Sequence, residues 1–441
     1  MFPDSYQMDE YHHISIGAVP IRELVEEYGT PLYVLDYETM VHRIKSFQGA
    51  LNEMTPPGRA FYAGKAFLTT AMAGFLKEQG MGLDVVSGGE LYTALAAGFN
   101  MKNIVFHGNV KTADEIRLAL THDVGYVVVD SLDELRLIND IAQSMGRKAP
   151  VLLRLTPGIE AHTHAFIQTG QFDSKFGFAM VDGIHEVAVR TALSSAHITL
   201  KGFHAHIGSQ IFDEDPFVHN AERLMAFVQV LWEERGFWPE VLDIGGGFGV
   251  QYTRTDDPPE ITRILSRVDQ TVSAMTPSRC PAPTVFIEPG RAIVAEAGVT
   301  IYQVNATKSV SGGKQYVAVD GGMGDNIRPA LYQAEYTAQI EGKPNEEGYI
   351  PYTVAGRYCE SGDIIIRHMA LPPVEVGEFL VVFGTGAYNY AMSSNYNRVT
   401  RPAVVLVAQG QSYLWVKRET YQDLLAQDLP WHPPGTRNDS V

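Results

Sequence analysis

The chain has 441 residues, 45% apolar and 19% charged, a balance that suits well-buried globular domains and excludes disordered or fibrous ones. Its net charge of −17 repels phosphate backbones and anionic lipid, which argues against nucleic acid and membrane surfaces as partners. Two cysteines, Cys280 and Cys359, are too few for a disulfide framework and point to a reducing compartment, the cytoplasm.

The N-terminus, MFPDSYQMDEYHH, is acidic and has no apolar stretch of the signal-peptide kind. No apolar run approaches the roughly 18 residues of a membrane helix. From residue 59 onward, short apolar runs alternate with helix-like stretches. The runs fall at 59–66, 82–87, 103–108, 124–131, 151–157, 201–208, 240–247 and 284–290, with helical patterns between them, for example at 113–121 and 132–146. Continuously apolar strands alternating with helices imply a parallel sheet buried on both faces. Eight of them predict a (β/α)8 barrel, with an open doubly wound sheet as the alternative.

After residue 295 the texture changes. Strand-like runs at 298–306, 315–320, 352–356, 379–383, 403–408 and 412–417 are separated by Gly/Pro turns, which predicts a second, mostly antiparallel β domain. The extended run 31–35 comes too early for the barrel and is expected to return to this second domain. The expected division is therefore a barrel over 36–295 and a β domain formed by 1–35 and 296–441.

In such a barrel the chemistry lies at the C-terminal ends of the strands. Those ends carry Lys65; Asp84 and Ser87-Gly88-Gly89; His107; Arg154; His204, His206 and Ser209; Gly245, Gly246 and Gly247; then Glu288, Pro289, Gly290 and Arg291. Glycines after the seventh and eighth strands, with Arg291 beside them, suit a phosphate, although a plain tight turn reads the same way. A lysine at the first strand end and an acidic residue at the last add a Schiff-base lysine and a partner for a pyridine nitrogen. Together they suggest pyridoxal 5'-phosphate. His204 and His206 form an HxH pair that could hold a metal. The carboxylates and third histidine of such a site are not evident, so no metal is expected and one imidazole is read as stacking on the cofactor. Arg328 and Tyr332 can share a helical face, and the arginine there suits either a bound carboxylate or a surface ion pair. Cys359, in a polar turn, is either a small buried residue or a proton donor.

The motifs YAGKA at 62–66, DVVSGGE at 84–90, HAHIGSQ at 204–210, GGGFG at 245–249, EPGR at 288–291, CESGD at 359–363 and GAY at 386–388 resemble the diaminopimelate decarboxylase family. That family belongs to the fold-type III pyridoxal-phosphate group, and the resemblance runs from about residue 30 to 420. It implies Lys65 as the Schiff-base lysine, His206 stacked on the ring and Glu288 on the pyridine nitrogen. Asp84, Ser209, Gly245, Gly246, Gly247, Pro289, Gly290, Arg291 and Tyr388 would complete the cofactor site. Arg291, Arg328, Tyr332, Glu360 and Tyr388 would bind substrate, with the segment 173–177 among those that set specificity. Cys359 would donate the proton and arrive with Glu360 from the other subunit of a homodimer. The implied reaction is decarboxylation of meso-2,6-diaminopimelate to L-lysine, the last step of lysine biosynthesis. Gly64 and Phe67 depart from the Val and Asn common beside the lysine in the wider group. A decarboxylase for another basic amino acid, a racemase and a non-catalytic cofactor-binding protein are the rival readings.

Overall fold

The computed structural model describes residues 1–159, 175–344 and 350–431. Its centre is a closed barrel of eight parallel strands. In chain order they are Arg59–Ala63, Gly82–Val85, Ile104–Phe106, Tyr126–Val129, Ala149–Thr156, Ile198–His204, Val241–Asp243 and Thr284–Ile287. The last pairs in parallel with the first, through Phe286 opposite Arg59, which closes the ring. Every run expected from the sequence is therefore a strand, although most stop two or three residues earlier. The polar ends of those runs have left the ladder and turned over the barrel mouth.

The helices between the strands start where a short polar side chain can take an orphan amide. Thr69, Ser87, Thr112 and Ser131 each accept a hydrogen bond from the residue three positions on, and Thr112 with Glu115 forms a reciprocal capping box.

Inside the barrel, Phe61, Val105, Val128, Leu152, Val241 and Phe286 pack as one apolar layer. Strand side chains alternate in direction, so the residues two positions further along point inward as well. Those residues are Ala63, His107, Asp130, Arg154, Asp243 and Glu288. A dry apolar plug thus supports a polar layer at the C-terminal mouth.

The second sheet is built around the long strand Gly298–Ser309. It pairs antiparallel with Leu32–Asp36, Phe379–Phe383 and Gln315–Val319. Leu32–Asp36 also pairs in parallel with Ala403–Ala408. The early run 31–35 accordingly lies in this sheet, and Asp36 ends the strand and caps the helix Tyr37–Asn52. Two strands here are not evident in the sequence, Ala338–Ile340 and Ile364–Leu371. The acidic N-terminal residues dock on that helix: Asp4 meets His42 Nδ1 at 2.5 Å and Arg43 at 4.0 Å. Among the described residues no helix is long and apolar enough to cross a membrane.

Candidate active site

The mouth of the barrel opens into a cavity of about 890 Å³, bounded on its far side by the second domain. Lys65 stands on a single 3-10 turn, Gly64–Ala66, at the end of the first strand. Its amine lies 3.9 Å from Asp84 Oδ2, and 42% of its side chain faces the cavity while Asp84 is buried. Burial pulls the Lys65 ammonium down, but Asp84, Tyr388 and Glu288 outweigh it and the net shift is upward. Lys65 is thus held charged and accessible until it reacts.

Glu288 follows the eighth strand and is 5% exposed. His204 Nε2 lies 3.2 Å from its Oε2, and His107 Nε2 is in close contact with its Oε1. Burial alone would raise the Glu288 pKa; the two imidazoles hold it well below the usual carboxylate range. His204 is itself driven down to about 3 by burial, so it serves Glu288 as a neutral N–H donor and not as a cation. Asp243, by contrast, is pushed well up by burial and by Glu288. His107, His204, Asp243 and Glu288 bring their ligand atoms within 4.8 Å of one another, the spacing of a metal centre. Each Glu288 oxygen already faces an imidazole, which accounts for the cluster without an ion.

His206 sits above this group, and its Nδ1 accepts the Gly246 N–H at 3.3 Å. Burial first, then Lys65 and Arg154, hold it neutral. The glycines after the seventh strand are required by space. A Cβ on Gly246 would lie 2.2 Å from the Glu288 carbonyl oxygen, and Gly247, at φ +106°, would put one 2.5 Å from that of Gly208. Gly246, Gly247, Gly290 and Ser209 all line the cavity.

Arg291 donates at 2.8 Å to both Ser209 Oγ and the Tyr252 hydroxyl. Arg328, at the start of the short helix Arg328–Tyr332, donates at 2.6 Å to the Tyr336 hydroxyl. Tyr252 lies between them, with the Arg328 guanidinium 4.9 Å and the Arg291 guanidinium 5.8 Å from its ring centre. Burial would raise the Tyr252 phenol, yet the two cations bring its pKa below the usual value. Both arginines are buried, and among the described residues neither makes an ion pair with a carboxylate. Two buried guanidiniums held only by hydroxyls among the described residues are suited to anions that join them.

Tyr388 enters from the second domain at φ +63°; its N–H donates to the Ala66 carbonyl at 2.8 Å, and Arg291 lies 4.8 Å from its ring centre. Tyr332 also lines the cavity. Cys359 and Glu360 do not: both are exposed on a loop of the second domain, outside the cavity lining. Of the segment 173–177, Asp173 and Ser174 lie outside the described residues. Asp243, Tyr252 and Tyr336 were not picked out from the sequence. Continuing the inward period of two past Val241 would have found Asp243; the tyrosines carry no local signal.

The residues present fit pyridoxal phosphate. The buried Asp84 oxygens and Arg291 Nε have no hydrogen-bond partner among the described residues. A lysine, an ionised carboxylate at the floor and a glycine cradle face one cavity, as that cofactor needs. Residues 38–295 match the family model of the pyridoxal-dependent decarboxylases, pyridoxal binding domain. The chain is 48% identical over 427 residues to a diaminopimelate decarboxylase of Bacillus subtilis (strain 168), covering 96% of this chain and 97% of that one. The structure of the diaminopimelate decarboxylase from M. jannaschii in co-complex with L-lysine superposes with a TM-score of 0.91 at 35% identity, covering 98% of this chain and 99% of that one. The Helicobacter pylori enzyme complexed with L-lysine gives 0.84 at 31%, covering 92% and 98%.

Barrel, second sheet and site define a pyridoxal-dependent decarboxylase. Within that class, the chain belongs to the diaminopimelate decarboxylase family.

Proposed function

We propose that the protein removes CO2 from meso-2,6-diaminopimelate to give L-lysine, using pyridoxal phosphate held at the mouth of the barrel. The observation that carries this reading is the pair of buried guanidiniums, Arg291 and Arg328, with no carboxylate partner among the described residues. One suits the cofactor phosphate and the other a substrate carboxylate, so the site is built for two anions.

Bound at Lys65, the cofactor supplies an electron sink for the pair of electrons left when CO2 departs. The chain's own residues do the rest. Glu288, kept ionised, keeps a proton on the ring nitrogen, and neutral His206 presents a flat face for stacking. Gly245, Gly246, Gly247, Gly290 and Ser209 offer backbone and hydroxyl donors to the phosphate beside Arg291 and Tyr388, while Asp84 holds the Lys65 amine in line. Arg328 and Tyr332 take the far carboxylate of the substrate, and the burial of Arg328 limits water there.

A proton donor is still required, and Cys359 lies outside the cavity. We read it as arriving with Glu360 from the second subunit of a homodimer, Cys359 protonating carbon and Glu360 meeting the distal amine. The exposure of the loop supports this. The division into a barrel at 36–295 and a β domain of 1–35 and 296–441 is supported by the pairing of Leu32–Asp36. The unpaired Cys280 and Cys359 support a cytoplasmic location.

The test is product formation by the purified protein from meso-diaminopimelate, ornithine and arginine, each with and without added pyridoxal phosphate. Lysine from diaminopimelate alone, dependent on cofactor, is the expected result. Product from ornithine or arginine instead would overturn the substrate reading.

A further inference from the structure

The reaction as read above needs Glu288 but leaves its neighbours unexplained. A carboxylate on a pyridine nitrogen could be held by one backbone amide; here two histidines from different strands close on it. His107 follows the third strand and His204 ends the sixth, and their rings meet edge to face with centroids 4.7 Å apart. Both are buried, at 4% and 1% exposure. Both direct Nε2, not Nδ1, toward Glu288, one to each oxygen. The other charged groups near this carboxylate are Asp84, 3.8 Å from His107 Nε2, together with Asp243, Arg154 and Lys65. Asp84 and Asp243 are both displaced toward the neutral acid. Of the three carboxylates packed together, then, only the one between the imidazoles is displaced toward the ionised form.

We propose that His107 and His204 are positioning residues for the cofactor ring nitrogen: by gripping opposite oxygens of Glu288 they set the plane of its carboxylate and keep it an acceptor aimed at that nitrogen. Neither touches the reacting atoms. Their reach matters, because only an Nε2-like donor spans from the strand backbone to the carboxylate. Glutamine places its amide nitrogen near the position of Nε2, whereas asparagine falls one methylene short. The inference rests on the cofactor reading and adds to it a specific dependence on the ring nitrogen.

The experiment is a binding cycle on the cofactor-free protein. Wild type, His107→Asn, His204→Asn and the two Gln variants are titrated with pyridoxal phosphate. They are then titrated with the analogue in which the ring nitrogen is replaced by C–H, following the visible absorbance of the bound ligand. Hydrogen bonds to a charged carboxylate are at stake, so each Asn variant is expected to lose about tenfold in affinity for pyridoxal phosphate. The same variants should lose less than about twofold for the analogue, and the Gln variants should recover to within about threefold of wild type. Equal losses for both ligands would show a merely structural role and overturn the proposal, as would no loss for either. Failure of wild type to bind pyridoxal phosphate at all would instead overturn the cofactor reading. If an Asn variant does not fold, the Leu variant of the same histidine, which keeps the bulk and offers no donor, decides: tight binding of the analogue with weakened binding of pyridoxal phosphate counts for the proposal, and equal weakening against it.

Discussion

At the scale of single residues, charge placement governs this site. Glu90 is an example outside the cofactor floor. Its Oε2 accepts the Val86 N–H at 2.7 Å, while burial, only partly offset by that bond, pushes its pKa from 4.5 up to about 7. An unfolded chain loses this proton near pH 4.5, whereas the folded protein keeps it to about 7. Between those values the folded state holds the extra proton, so stability falls as pH rises and then levels off. Glu90→Gln should flatten that window and make the cofactor-free protein more stable at pH 8 by on the order of 1–2 kcal/mol. Denaturant unfolding at pH 5 and pH 8 checks this; an unchanged pH slope would contradict it. Lys65, Glu288 and Arg291 were legible from sequence because they stand at strand ends in short motifs. The grip of His204 on Glu288 was not, since it joins residues 84 apart whose meeting depends on how the barrel closes.

At the scale of elements, the loop bearing Cys359 is fastened from two sides. Asp363 accepts the Tyr358 N–H at 2.7 Å and the Met323 N–H at 2.6 Å, tying this loop to the segment that leads into Arg328. Asn397, at φ +52°, accepts the Cys359 N–H at 2.9 Å. Asp363→Ala would leave two amides without partners and free the loop. Turnover should fall about tenfold while the absorbance and affinity of bound cofactor stay unchanged. Stopped-flow turnover beside a cofactor titration separates the two, and weakened cofactor binding would place Asp363 in the wrong role. The eight barrel strands were legible because each is a compact run of β-branched and aromatic residues ended by a polar group. Ile364–Leu371 was missed because Arg367 and His368, adjacent and both exposed, interrupt its apolar alternation.

At the scale of the whole molecule, Lys65, Glu288, Arg291, Arg328, Tyr332 and Tyr388 line one cavity while Cys359 and Glu360 lie outside its lining, which is why the proposed function draws those two from a second subunit. The CESGD motif implied such sharing only through the family resemblance, because how two subunits would meet is a property of surfaces that the order of residues along one chain does not encode. The most direct test of the account joins both halves of the site. Lys65→Ala and Cys359→Ala chains, each inactive alone, are co-expressed with different affinity tags and the mixed dimer is isolated. In that dimer one site combines Lys65 of one subunit with Cys359 of the other, and the second site lacks both. The account predicts lysine formation from meso-diaminopimelate at about half the wild-type rate per dimer. A mixed dimer no more active than its parents would contradict it.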